Sequence, residues 1–250
     1  MKICWNIGTS GWSYDDWKRI FYPPGHLSAS KHLPYFSTQF KTTEINATFY
    51  RVMKEAIVRG WYNKTPDDFL FSIKLHQYFT HSKRMKIDQA ADSRLDMFLK
   101  SISQLEHKTG PILVQLPPRL KADPERLRVF LEAMPDHDYA IEFRHKSWFT
   151  DKTKHILEDY NAAMVYSHSP ELPTALAQTA SFFYARFHGP GEFYKTKYTK
   201  EQLKAELDKI LNLEGINNCK SIYIYFNNNY KGYAVDNAYT FRALAEASSV

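Results

Sequence analysis

Eight short runs of β-prone residues recur along the chain, separated by longer stretches whose apolar residues repeat with helical period. The runs are 4–8, 41–45, 69–75, 112–116, 139–143, 163–167, 182–187 and 221–226. Seven helical stretches are expected between them, and an eighth closes the chain. Such alternation demands parallel strands joined by crossover helices, with both sheet faces covered. Eight units in 250 residues have the dimensions of a (β/α)8 barrel. A doubly wound open sheet is the alternative, but no Gly-x-Gly-x-x-Gly follows the first run. Without a linker, low-complexity tract or break in composition, the expectation is a single α/β domain over 1–250, a TIM-like barrel of parallel strands.

The helical stretches carry their own boundary signals. Leu95, Phe98, Leu99, Ile102 and Leu105 form one apolar stripe. Leu127, Phe130, Leu131 and Met134 repeat it after Asp123-Pro124, an N-cap followed by proline at the first helical position. Leu203, Leu207, Ile210 and Leu211 form a third, opened by the capping box Thr199/Gln202 and stopped by Gly215. Leu33, Phe36 and Phe40, then Ile57 and Trp61, then Ile156, Leu157 and Tyr160, and finally Ala238, Phe241 and Ala245 mark four more. Stripes of this kind are packing surfaces, not sites.

Apolar residues at 44% and charged residues at 24% describe an ordinary soluble globular chain. No run approaches the roughly 18 apolar residues of a membrane helix. The opening 1–8 is too short an apolar stretch for a signal peptide. Cys4 and Cys219, in expected strands far apart in sequence, indicate neither a disulfide framework nor a metal knuckle, so a cytoplasmic location is expected. The net charge of +6 favours anionic partners such as phosphorylated metabolites or nucleic acid, and no membrane.

In such a barrel the residues at and just past each strand's C-terminus converge on one mouth. They are 8–12, Glu44 with Asn46, Lys74 with His76, Gln115 before Pro117-Pro118, Glu142 with Arg144 and His145, Ser167 with His168, Arg186 with His188-Gly189, and Asn227-Asn228. Any barrel needs a polar rim, so each alone says little. Glu44, Lys74, Glu142 and Arg186 say more, because each adjoins apolar strand residues where an idle buried charge is costly.

Glu44 and Glu142, from strands on opposite sides of the barrel, suit a carboxylate pair flanking a substrate. The bland alternative is a salt bridge each, to Lys74 and to Arg144 or Arg186. Lys74 is a Schiff-base amine or an electrostatic clamp, and the clamp is expected because nothing local depresses its pKa. His188 either moves protons, binds a metal, or is satisfied by a neighbouring carbonyl. The loops 188–191 and 227–232, with Lys231 and a helix starting near Ala234, compose an anion cradle of backbone amides. Trp12, Trp17, Tyr50, Trp148 and Phe193 are expected around the mouth as stacking walls or lid packing. The ten histidines include no His-x-His or His-Glu-x-x-His, so no cofactor is expected, with a divalent metal the minority alternative.

These same blocks resemble a known family. Gly8-Thr9-Ser10-Gly11-Trp12-Ser13-Tyr14 with Trp17 and Phe21-Tyr22-Pro23, then 44–51, 69–74, Gln115-Leu116-Pro117-Pro118, 142–148, His188-Gly189 and Tyr225-Phe226-Asn227-Asn228 look like the signature blocks of the YecE-like proteins, domain-of-unknown-function family 72. The blocks run in order from the first strand to the last. The resemblance implies a barrel related in shape to the endonuclease IV and xylose isomerase type, and it brings no established reaction. Val52-Met53 departs from the proline that usually follows the Phe-Tyr-Arg block, and 76–79 varies the segment before Thr80-His81.

The expected function is therefore a metal-independent enzyme acting on a small anionic substrate, phosphorylated or containing a sugar phosphate. Glu142 and Glu44 would exchange protons, with Lys74 and His188 as further catalytic candidates. Arg144 and Arg186 would stabilise negative charge, Asn46, Gln115 and Asn227 would orient hydroxyls, and Trp12, Tyr50 and Trp148 would supply binding surface. The alternatives are a nucleic-acid-binding protein and a metal-dependent phosphoesterase.

Overall fold

The computed structural model describes residues 3–18, 20–23 and 28–248, so Met1 and Lys2 of the opening run lie outside the described residues. Its strands are β1 (Cys4–Ser10), β2 (Thr42–Ile45), β3 (Leu70–Lys74), β4 (Thr109–Gln115), β5 (Tyr139–Glu142), β6 (Ala163–Met164), β7 (Tyr166–His168), β8 (Phe182–Phe187) and β9 (Ser221–Phe226). The helices are α1 (Ala29–Gln39), α2 (Ala47–Tyr50), α3 (Glu55–Asn63), α4 (Gln89–Ile102), α5 (Pro124–Ala133), α6 (Asp151–Asp159), α7 (Lys200–Leu211) and α8 (Tyr233–Ser248).

All strand pairs are parallel, in the order β6-β5-β4-β3-β2-β1-β9-β8-β7. The two ends of that ladder are neighbours in sequence. β6 pairs with β5, β7 pairs with β8, and only Val165 lies between them. The sheet therefore returns on itself through one divided stave, and the sixth expected strand, 163–167, is shared between two partners. Val165 keeps its place by donating its amide to the Ile141 carbonyl at 3.0 Å.

One expected helix is absent. Residues 169–181, between β7 and β8, are irregular backbone. Pro170 and Pro173 each remove an amide donor and push the residue before them out of the helical region, so the segment cannot propagate a helix. The other boundary signals hold. Asp123 accepts from the Arg126 amide at 3.1 Å ahead of α5, and Thr199 and Gln202 form a reciprocal capping box at α7.

Alternation along the strands sorts side chains between two cores. Outward residues such as Ile7, Phe71, Ile112, Ile141, Phe187 and Ile224 pack beneath the helices. Inward ones, Leu113, Ala140, Ala163, Val165, Phe182, Tyr184, Tyr223 and Tyr225, form a smaller cluster inside the barrel. That interior is more polar than the branched aliphatic filling usual for this architecture. Tyr225 Oη lies 2.6 Å from Thr42 Oγ1 and 2.8 Å from Ser72 Oγ, tying β9 to β2 and β3 across the lumen. Gly8 lets β1 close onto β2, because a Cβ there would lie 2.2 Å from the Thr42 carbonyl oxygen. Among the described residues no helix is long and apolar enough to cross a membrane.

Candidate functional site

Continuing the inward register to the C-terminal end of the barrel brings Ser10, Glu44, Lys74, Gln115, Glu142, Ser167, Arg186 and Asn227 into one ring. Each stave contributes one polar side chain, which is why these residues cluster although they are scattered along the sequence. Tyr184 precedes Arg186 by two positions on β8, and so points into the same interior.

Arg186 stands at the centre, 1% exposed. Its Nε donates to Glu44 Oε2 at 2.9 Å, its Nη2 to Glu44 Oε1 at 2.8 Å, and its Nη1 to Glu142 Oε2 at 2.6 Å. Arg144 closes the other side of Glu142, with Nη2 2.5 Å from Oε1. Glu44 also accepts from Ser10 Oγ at 2.7 Å, Tyr184 Oη at 2.8 Å and Asn46 Nδ2 at 3.3 Å, and Glu142 accepts from Ser167 Oγ at 2.6 Å. Burial by itself pushes both carboxyl pKa values up. The guanidiniums more than offset it, holding Glu44 below the ordinary carboxylate range and Glu142, between Arg144 and Arg186, well below it.

This geometry corrects the expected roles of the two glutamates. A carboxylate held ionised and met by five donors, as Glu44 is, has no proton to give and no free oxygen to receive one. The salt-bridge alternative describes both residues, with Arg186 rather than Lys74 as the partner of Glu44. Their effect is to fix the Arg186 guanidinium in place.

Lys74 is different. It is 8% exposed, its Nζ donates to Gln115 Oε1 at 2.8 Å, and it lies 3.9 Å from the centroid of the Phe49 ring. No carboxylate is ion-paired with it among the described residues. Burial, with the Arg186 charge adding to it, lowers its pKa to about 8, and Glu142 and Glu44 offset only part of that. Nothing in the sequence shows this depression, and the placement serves either of the two expected roles, electrostatic clamp or amine.

His188 is fully buried, stacked on Phe193 at 5.1 Å and 10°. The Asn227 amide faces its Nδ1 at 3.3 Å, which leaves Nε2 as the protonated nitrogen, 3.6 Å from Glu142 Oε1 and 3.3 Å from Ser167 Oγ. Burial pushes its pKa down to about 4, so the ring is neutral at physiological pH. It lies beside Glu142 and is not among the residues that line the cavity.

A cavity of about 610 Å³ opens at the mouth, lined by Asn46, Tyr50, Lys74, Gln115, Arg186 and Asn227 together with Tyr14, Asp15, Asp16, Tyr194, Lys195, Asn229 and Tyr230. The first six are sequence candidates. Of the other seven, Asn229 and Tyr230 belong to the expected 227–232 loop and Tyr14 to the first family block, whereas Asp15, Asp16, Tyr194 and Lys195 were not singled out; all seven lie outside the strands, where period-two reasoning does not reach. Asn46 Oδ1 and Asn229 Oδ1, and Arg144 Nε beside Glu142, are buried without a hydrogen-bond partner.

The expected tryptophan walls lie elsewhere. Trp148 is fully buried, donates Nε1–H to the Leu120 carbonyl at 2.8 Å and stacks on Phe143 at 4.9 Å. Phe143 follows inward Glu142 by one position, so it faces outward and takes Trp148 with it. Trp12 packs edge-on against Trp61 at 5.7 Å and Phe71 at 6.4 Å, and Trp17 is buried with Nε1 donating to the Asn229 carbonyl at 3.0 Å. Three amides of the expected cradle are also spent within the protein. The Gly189 amide donates to Tyr198 Oη at 3.1 Å, the Gly191 amide to Thr196 Oγ1 at 2.9 Å, and the Lys231 amide to Asp16 Oδ2 at 3.2 Å. Among the described residues no group of three or more His, Cys, Asp and Glu side chains is placed to hold a metal ion.

The chain is similar to the UPF0759 protein YunF of Bacillus subtilis, 29% identical over 262 residues that cover 92% of this chain and 91% of that protein. It is also similar to the UPF0759 protein YecE of Escherichia coli, 29% identical over 147 residues that cover 57% of this chain and 49% of that protein. Among solved structures it matches a DUF72 family protein from Thermotoga maritima with a TM-score of 0.84 and 31% identity, over 97% of this chain and 99% of the other. A DUF72 family protein from Enterococcus faecalis matches with a TM-score of 0.79 at 17% identity, over 97% and 95% of the two chains, a likeness of fold. The model of the family described as "Protein of unknown function DUF72" matches residues 6–250, and the chain belongs to that family.

Proposed function

We propose that the cavity binds a small anionic molecule, phosphorylated or containing a sugar phosphate, and that the protein is an enzyme acting on it with its own side chains. The observation that carries this reading is Lys74, whose ammonium is buried in the cavity wall without a carboxylate partner. With Arg144 and Arg186 it makes three cations against the two carboxylates Glu44 and Glu142, while Asp15, Asp16 and Lys195 also line the cavity. A bound anion relieves the cost of that burial.

The remaining groups suit such a ligand. Three of the five N–H groups of Arg186 donate to Glu44 and Glu142, which leaves two. The orphan oxygens of Asn46 and Asn229 accept from hydroxyls, and the tyrosines supply rings with a polar tip. Glu44 and Glu142 position the guanidinium, and Lys74 is the group whose protonation is free to change near neutral pH.

Thermal unfolding with inorganic phosphate, glycerol 3-phosphate and ribose 5-phosphate tests the proposal on the wild type and Lys74→Met. At one hundred times its Kd a ligand stabilises by about 2.7 kcal/mol, which raises Tm by about 5–10 °C for a chain of this size. That rise is expected in the wild type and absent from the variant. No rise with any of the three, or an equal rise in both proteins, refutes the reading. DNA retardation that falls steeply with salt would favour a nucleic-acid partner in its place.

A further inference from the structure

Resting on the reading that the cavity takes an anion, we propose that Lys74 is a covalent nucleophile, condensing through Nζ with the carbonyl of an aldehyde or ketone that bears a phosphate or carboxylate. Geometry carries this. Lys74 is the last residue of β3, and Thr48 Oγ1 pins its backbone by donating to the Lys74 carbonyl at 2.7 Å, so the amine is presented from a rigid element. Gln115 Oε1 and the Phe49 ring hold the side chain, and the tip lines the cavity. Both nearby carboxylates are committed to Arg186 and Arg144, so neither holds Nζ as a paired ammonium.

The charged groups around Nζ are Arg186 on β8, Glu44 on β2, Glu142 with Arg144 at the end of β5, and His81 in the turn after β3, with Asp15, Asp16 and Lys195 lining the same cavity. Burial and the fixed Arg186 charge oppose the ammonium, as in other sites where a cation beside a desolvated lysine activates it. With a pKa of about 8, roughly one chain in ten carries the free amine at pH 7, against fewer than about one in a thousand for an ordinary lysine.

In the step itself the Nζ lone pair attacks the carbonyl carbon, a proton moves from nitrogen to oxygen, and the carbinolamine expels that oxygen as water. One proton from solvent leaves a cationic imine, and no oxidant or reductant is consumed. Gln115 Oε1 is placed to accept from the imine N–H. Tyr194 lines the same cavity, and burial keeps its phenol protonated. The cationic imine stabilises negative charge on the adjacent carbon, so the reaction class is proton or carbon transfer next to a carbonyl.

The test incubates wild-type protein with pyruvate, glyceraldehyde 3-phosphate or pyridoxal 5′-phosphate, reduces with sodium borohydride, and reads intact mass and peptide maps. The expected result is one adduct per chain on Lys74, rising from pH 6 to 9 with a midpoint near pH 8, suppressed by phosphate and lost in Lys74→Met. Peptide mapping of the wild type decides the point even where the variant folds poorly. Adducts spread over exposed lysines such as Lys41, with Lys74 unmodified, overturn the proposal. If phosphate still raises Tm in that case, the anion reading stands without the imine; if it does not, both fall.

Discussion

Replacing Arg186 with methionine retains much of the side chain's bulk and deletes its charge. Glu142 would keep Arg144 and Ser167, whereas Glu44 would keep only the neutral donors Ser10, Tyr184 and Asn46. One fully buried carboxylate, not two, is therefore left without a counter-charge. Breaking a buried pair in this way costs about 3–5 kcal/mol, and at about 2–4 °C per kcal/mol Tm should fall by about 6–20 °C. Adding Glu44→Gln removes the orphaned charge and should restore most of the loss, a coupling well above the roughly 0.5 kcal/mol of independent sites. The pH dependence supplies a sign. In the wild type Glu44 has a folded pKa below its unfolded value, so its contribution is present above the unfolded pKa and is lost as pH falls through the folded one. In Arg186→Met, burial without the guanidinium raises that pKa, so the variant is favoured below the unfolded value and loses stability as pH rises. Thermal unfolding of the wild type, the single and the double variant at pH 5 and pH 8 should show the gap widening toward pH 8. A loss below about 1 kcal/mol at pH 8, or a gap unchanged with pH, refutes the argument that charge on Arg186 holds these carboxylates.

Three further outcomes follow from the same geometry. His188 has a folded pKa of about 4 against roughly 6.5 when unfolded, so its contribution is complete above the unfolded value and about 3 kcal/mol is lost as pH falls toward 4. Urea unfolding of His188→Gln should lack that slope, and a His188 imidazole resonance that titrates near pH 6.5 in the native protein contradicts the assignment. Trp148→Phe removes the Leu120 hydrogen bond outside the cavity and should cost about 1–3 kcal/mol in urea while leaving phosphate affinity unchanged; a weakened affinity would return Trp148 to the site. Gly8→Ala places a Cβ 2.2 Å from the Thr42 carbonyl oxygen, so its cost should exceed the usual overpacking penalty of about 1–3 kcal/mol. A soluble variant melting within about 2 °C of the wild type would show that β1 and β2 separate freely there.

The alternation of strands and helices, the caps at Asp123 and Thr199, and the polar residues closing each strand were all legible from sequence, because each depends on neighbours within a few positions. The ring of Glu44, Lys74, Gln115, Glu142 and Arg186 followed from those strand ends plus the geometry of a closed barrel. What stayed hidden was which charge meets which. Arg186 binds carboxylates 142 and 44 positions earlier in the chain, and only closure of the sheet sets it between them. That choice leaves Lys74 without a carboxylate partner, and burial beside Arg186 lowers its pKa to about 8. Outward Phe143 carrying Trp148 away from the mouth, and the two prolines that abolish one helix, were written in the sequence, but their weight depended on the packing around them. Local pattern determined which residues reach the mouth, since strand periodicity is a short-range property. Their ionisation was decided by burial and by cations brought from distant strands, which are properties of the folded molecule alone.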